Sequence, residues 1–127
     1  METATTTYIH ERSILECPDG CGLCPTESAM WFLNSLAREY YTKFNKKLIV
    51  TSGARCYNHN QKVGGVANSA HIKGLAFDVH YDNSRETYLI VSHLYKMGVP
   101  RIGINFNSKF VHFDIDTTLP QNVLFKY

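Results

Sequence analysis

Ser69–His80, SAHIKGLAFDVH, is the stretch on which the reading of the whole chain turns. Its His71 and Asp78 stand seven positions apart around Gly74. From Leu75 to Tyr81 the residues alternate, with Leu75, Phe77, Val79 and Tyr81 on one face and Ala76, Asp78 and His80 on the other. Period-two alternation marks a half-buried strand, so Asp78 points away from the apolar face. Packing requires neither the imidazole nor the carboxylate.

Upstream, LIVTS (Leu48–Ser52) is a β-branched run that predicts a buried strand, and it empties into GARCYNHNQKVGGVANS, rich in Gly and Asn. A long loop between two strands in a small domain is usually a functional one. Further upstream, Thr26 followed by Glu27 reads as a helix cap. Ala29, Leu33, Leu36, Ala37, Tyr40 and Phe44 then recur at helical spacing, and Trp31, Tyr40 and Tyr41 are expected as core or surface aromatics.

Downstream, a second helix is expected from about Ser84, with Tyr88, Val91, Leu94 and Tyr95 near one stripe, Gly98 closing it and Pro100 just beyond. RIGIN and KFVHFDID are expected to pair as a hairpin across FNS. In the second of these strands Val111, Phe113 and Ile115 share a face, leaving Phe110, His112, Asp114 and Asp116 on the other. An imidazole between carboxylates is not the composition of an ordinary solvated strand face. The order of helix, strand, loop, strand, helix and hairpin implies an α+β fold with a small antiparallel or mixed sheet and two main helices.

A chain of 127 residues is read as a single domain, residues 1–127, with a cysteine-rich loop at 17–24. Thirteen Lys and Arg against eleven Asp and Glu, spread without a basic run, give weak support for nucleic-acid binding. METATTTYIHERSILE has no basic segment leading into an apolar core, so synthesis in a cytoplasm without a signal peptide is expected. No apolar run approaches the roughly 20 residues of a membrane span. Cys17, Cys21, Cys24 and Cys56 invite a structural zinc, with disulfides or unpaired thiols as alternatives.

His71, Asp78 and His112 taken singly mean little. Together they offer the nitrogen and oxygen ligands of a catalytic zinc with one coordination position left open. Neutral imidazoles would leave such a site with one net positive charge, which acidifies bound water; four thiolates would close the shell and over-neutralise the ion.

The run SGARCYNHNQKVGGVANSAHIKGLAFDVH, together with the late His112, resembles the zinc D-alanyl-D-alanine carboxypeptidase and L-alanyl-D-glutamate endopeptidase family, whose pattern is S-G-x-R, then S-x-H-x-x-G-x-A-x-D, then a histidine in a strand. The resemblance runs from Ser52 to about Asp116. It implies the fold of bacterial D,D-peptidases and the hedgehog signalling domain, with zinc held by His71, Asp78 and His112. It also implies that Arg55 meets a substrate carboxylate or developing oxyanion and that Ser69 contacts substrate. Gly74 would allow the turn between ligands, and Gly64 and Gly65 would shape the cleft. Many members carry an acidic general base three residues before the last histidine, where this chain has Lys109. Asp114 is the expected replacement, as in the branch ending in H-x-D, with Asp116 as a weaker candidate or an outer partner of an imidazole.

The implied function is zinc-dependent hydrolysis of peptidoglycan stem peptides, of D-Ala-D-Ala carboxypeptidase or L-Ala-D-Glu endopeptidase type. A small member of such a family resembles a phage endolysin or a virion-associated lysin, acting on the wall after release or from the particle. The expected partner is the peptidoglycan peptide, with no nucleic acid or membrane, and the chain is expected to be monomeric. The rival reading is a non-catalytic, metal-containing binding module of the same fold. A cysteine-zinc nucleic-acid protein ranks last, because no basic stripe or stacking motif accompanies CPDGCGLC.

Overall fold

A computed structural model describes residues 8–66 and 69–127. The first seven residues of the N-terminal stretch and the Ala67–Asn68 part of the long loop lie outside the described residues. Helix α1 (Glu27–Phe44) begins where expected, with the Thr26 Oγ1 accepting the Ala29 N–H at 3.1 Å, and ends at Asn45 in the left-handed region. A cap of this kind contributes about 1 kcal/mol. Ala29, Met30, Leu33, Leu36, Ala37 and Tyr40 form its buried stripe, while Trp31 is exposed. The remaining elements are β1 (Val50–Ser52), α2 (Tyr57–Lys62), β2 (Ala76–His80), α3 (Ser84–Lys96), β3 (Arg101–Asn105), β4 (Phe110–Asp114) and β5 (Val123–Lys126).

The strands form one mixed sheet in the order β1-β2-β4-β3-β5, antiparallel except for the β3–β5 pair. Its register sorts the residues by face. Phe77 lies opposite Phe113, and Val79 opposite Val111, with Ile102 and Ile104 continuing the rows on β3. These side chains join Leu33, Leu36 and Tyr40 of α1 and Ile90 and Leu94 of α3 in one core. Burying each large apolar side chain contributes roughly 1.5–3 kcal/mol. The opposite face carries a different row: Ser52, Asp78, His112, Gly103 and Phe125 are successive cross-strand partners. The pleat that hides Phe77 and Phe113 thereby presents Asp78 and His112 side by side.

Three features differ from the sequence expectation. The long loop contains α2, whose Tyr-Asn-His-Asn-Gln-Lys sequence has little helical propensity; it is held by tertiary contacts, with the buried Asn60 donating from Nδ2 to the Val66 carbonyl at 2.8 Å. The buried stripe of α3 is Thr87, Ile90 and Leu94, flanked by Glu86 and His93, whereas Tyr88 and Tyr95 face solvent. Glu86 pairs with Lys46 and accepts the Asp82 N–H, and His93 Nε2 donates to the Leu36 carbonyl while its Nδ1 is buried without a partner among the described residues. Finally, β5 adds an edge strand that brings Phe125 and Tyr127 across the polar face of the sheet.

Candidate metal centre

His71, Asp78 and His112 are brought together as the sequence predicted, all buried and with one donor atom each within 4.8 Å of the others. Asp78 and His112 are cross-strand neighbours on β2 and β4. His71 arrives from the turn before β2, which Gly74 completes at φ +70°, a left-handed conformation that a side chain would strain. Its Nε2 lies 3.2 Å from Asp78 Oδ1 and 3.2 Å from His112 Nδ1, and His112 Nδ1 lies 3.0 Å from Asp78 Oδ1. Ligand bonds of about 2.0–2.1 Å at tetrahedral angles place donors about 3.3–3.4 Å apart, so this triangle is close to one face of a zinc tetrahedron.

The outer nitrogens fix what the inner ones are. His71 Nδ1–H donates to the Gly53 carbonyl at 2.7 Å, and His112 Nε2–H donates to Asp114 Oδ2 at 2.7 Å. With those protons committed, both inward nitrogens present lone pairs to a carboxylate oxygen, and three acceptors converge on one point. Only a positive charge reconciles them. Burial pushes the Asp78 carboxyl up, yet hydrogen bonding to His112 and His71 holds it well below the usual carboxylate range. Burial would likewise lower the His112 imidazole, but the Asp114 and Asp78 carboxylates outweigh it and raise its basicity.

The Asp114 carboxylate stands behind the His112 ring, on the nitrogen that faces away from the three-donor triangle. It also binds Arg101 Nε at 2.9 Å and accepts the Asp116 N–H, and it is 1% exposed. The sequence expectation made Asp114 the proton acceptor; here the imidazole stands between its carboxylate and the three-donor triangle, the place of an outer hydrogen-bond partner. Asp116 does not hold an imidazole; it pairs with Lys73 at 2.7 Å and caps the turn at Thr118. Lys109 lies in a left-handed turn position, exposed, beside a surface depression with Tyr88 and Phe106 rather than beside the metal ligands.

A cleft of about 530 Å³ opens beside the triangle, lined by Arg55, Ser69, Asp78, Gly64, Gly65 and Tyr127 among others. Volumes of roughly 300–1,000 Å³ suit small ligands or short peptide segments. Arg55 reaches toward Asp78 Oδ2 at 3.9 Å, and its buried Nε has no partner among the described residues. Ser69 is buried and its Oγ accepts the His71 N–H. Tyr127 and Phe125, which the sequence reading did not single out, pack with His112 at ring-centroid distances of 5.8 and 5.7 Å. Burial, and then the charge of Asp78, push the Tyr127 phenol up, so its hydroxyl stays a donor. The signal for this segment was present in VLFKY, an apolar run bounded by Pro120 and Asn122, but it is short and follows a hairpin that already looked complete. Gly103 leaves room for it, because a Cβ there would lie 2.4 Å from the Phe125 ring.

Of the four cysteines, Cys17, Cys21 and Cys56 bring their sulfurs within 4.8 Å of one another, while Cys24 turns its thiol to the Gly22 carbonyl. No helix among the described residues is long and apolar enough to cross a membrane.

A His/Asp/His donor set buried on the polar face of a small α+β sheet, open to a peptide-sized cleft, is a metallohydrolase arrangement. Residues 6–114 match the family model described as Peptidase M15, and the chain belongs to that family. No curated protein matches the chain.

Proposed function

We propose that this protein is a zinc-dependent peptidase that hydrolyses the stem peptides of peptidoglycan, by carboxypeptidase action on D-Ala-D-Ala or endopeptidase action on L-Ala-D-Glu, in the manner of a phage lysin. Family membership supports the peptidase chemistry. The observation that carries the metal is the convergence of three buried acceptors whose outer nitrogens are already engaged by Gly53 and Asp114. His71, Asp78 and His112 would hold the ion. Bound zinc supplies Lewis-acid chemistry, polarising a peptide carbonyl and acidifying water.

The chain's own residues do the remainder. Gly53 and Asp114 keep protons on the outer nitrogens and fix both rings. Arg55, with an unpartnered Nε in a largely buried guanidinium, is suited to fork onto the terminal carboxylate or the developing negative charge of a peptide. Ser69 lines the same cleft and contacts substrate, and the Phe125 and Tyr127 rings shield His112 from water.

One observation favours the rival reading of a metal-containing binding module: among the described residues that line the cleft, Asp78 is the only carboxylate, and it belongs to the ligand set. Incubation with purified peptidoglycan separates the two. Release of peptide fragments with new free amines, abolished by chelation and by His71→Ala, is expected of the peptidase. Fragment-free binding of peptidoglycan by zinc-loaded protein would overturn it. Mass spectrometry of the fragments identifies the bond cut.

A further inference from the structure

Outside the cleft-side triangle, the densest group of metal-binding side chains lies where the 17–24 loop meets the start of α2. Gly20 and Gly22 both sit at positive φ, +76° and +82°, with open space around them, and they fold CPDGCGLC back on itself. The Cys17 N–H to Leu23 carbonyl bond closes this loop at 2.8 Å. Cys21 thereby returns to Cys17, and both sulfurs meet Cys56 from 39 residues along the chain. All of these thiols are free.

We propose that Cys17, Cys21 and Cys56, with Asp19 as an outer partner beside Cys56, form a second zinc site that staples the N-terminal loop to the wall of the cleft. Three sulfurs in mutual reach cannot all be satisfied by one disulfide, and soft thiolates in tetrahedral array select zinc. Cys56 Sγ lies 3.7 Å from Asp19 Oδ2. The surroundings are those of a thiolate site as well. Cys17 Sγ accepts the Cys56 N–H at 3.4 Å, and Cys56 Sγ accepts the His59 N–H at 3.5 Å. The other Asp19 oxygen is held by His59 Nδ1 at 3.1 Å, and Lys62 stands 3.6 Å from Oδ2 to offset the accumulated negative charge. Outer contacts of this kind fix ligands in place.

The site adjoins the proposed chemistry through the backbone. Cys56 directly follows Arg55, and Cys17 directly precedes Pro18, which lines the cleft with His59. A metal clip across so many residues restricts the unfolded chain and the loop together. It therefore positions Arg55 and is distinct from the His71–Asp78–His112 centre.

Cobalt substitution of the full chain tests this independently of any activity. Thiolate donors give cobalt an intense near-ultraviolet charge-transfer band that imidazole and carboxylate donors do not. The wild type is expected to take two equivalents and to show the band. His112→Ala is expected to take one equivalent and keep the band. Cys21→Ser, a change at an exposed side chain, should take one equivalent and lose it. Cys24→Ser should bind like the wild type, whereas Asp19→Asn should bind at the thiolate site at least tenfold more weakly. A wild type without the band, or with fewer than four titratable thiols after unfolding in chelator without reductant, overturns the proposal. Loss of the ion in Cys24→Ser with Asp19→Asn unaffected overturns the assignment of Asp19. Failure of peptidoglycan hydrolysis leaves the band intact, so the two readings fail separately.

Discussion

Replacing Asp114 with asparagine changes one atom and removes one charge, and the structure says where the loss falls. Three donors converge on this carboxylate: His112 Nε2–H at 2.7 Å, Arg101 Nε at 2.9 Å and the Asp116 N–H at 3.1 Å. An amide keeps one oxygen and puts two N–H donors where the other stood, beside donors from Arg101 and from His112 or the Asp116 backbone. If its oxygen keeps His112, the amide N–H groups confront the guanidinium. If it keeps Arg101, His112 must move its proton to Nδ1, the nitrogen that faces His71 and Asp78, and the lone pair leaves the metal triangle. Removing such an outer partner typically costs 10–100-fold in metal affinity, about 1.4–2.8 kcal/mol. Arg101 retains the Pro120 carbonyl and the Phe125 ring, so loss of fold stability is held to about 1–3 kcal/mol. The assay is zinc competition against a chromophoric chelator, run beside peptidoglycan hydrolysis at limiting and at saturating zinc. Affinity should fall by that factor, and saturating zinc should restore most of the activity. Unchanged zinc affinity, with hydrolysis reduced by about 10²–10⁴ and the acid limb of its pH profile gone, would refute this and return Asp114 to the role of proton acceptor.

Gly53→Ala places a Cβ 2.2 Å from the Leu15 carbonyl oxygen, which accepts the Ala54 N–H at 2.8 Å. Relief displaces backbone at roughly 1–3 kcal/mol and disturbs the carbonyl that holds His71, so urea unfolding should shift to lower denaturant and zinc affinity should fall with it. Arg55→Lys keeps the charge but loses the fork; a KM increase of about tenfold or more with unchanged zinc content is expected from steady-state kinetics on stem peptides. His93 is buried against the Leu36 carbonyl, and burial lowers its basicity. The unfolded chain therefore binds this proton more readily than the fold does. Stability should be full above about pH 6.5 and fall below it, by at most about 1.4 kcal/mol per pH unit from this group, until the folded imidazole itself protonates. Denaturation midpoints at several pH values should show a shallower decline in His93→Gln.

What the sequence made legible follows from what each element depends on. The first helix carries its own cap at Thr26 and an uninterrupted stripe, and the strict alternation of β2 and the hairpin sorts their side chains by face, although both faces of β2 and β4 are buried. His71, Asp78 and His112 were legible because spacing and strand faces are local properties. The α3 stripe was misplaced by one residue because Tyr88 and Tyr95 outweigh Thr87 on any hydrophobic count, while the buried Glu86 and His93 depend on partners far along the chain, at Lys46 and Leu36. Helix α2 and strand β5 depend equally on distant contacts, His59 with Asp19 for one and the parallel pairing with β3 for the other. The separate surroundings of Asp114 and Asp116 were illegible for another reason. Both lie on the same side of an alternating run, and only the end of β4 after Asp114 turns Asp116 toward Lys73.

The pleat of the central ladder has a consequence for how this chain tolerates change. Because Phe77 and Phe113 are seated by the same register that aligns Asp78 with His112, a slip of β4 by one position that flipped its faces would carry greasy side chains onto the cleft face and its histidine donor into the apolar core at once. The interior thus serves as the jig in which the metal-gripping groups are trued, and a lineage that keeps its sheet soluble keeps its donors aligned without separate supervision.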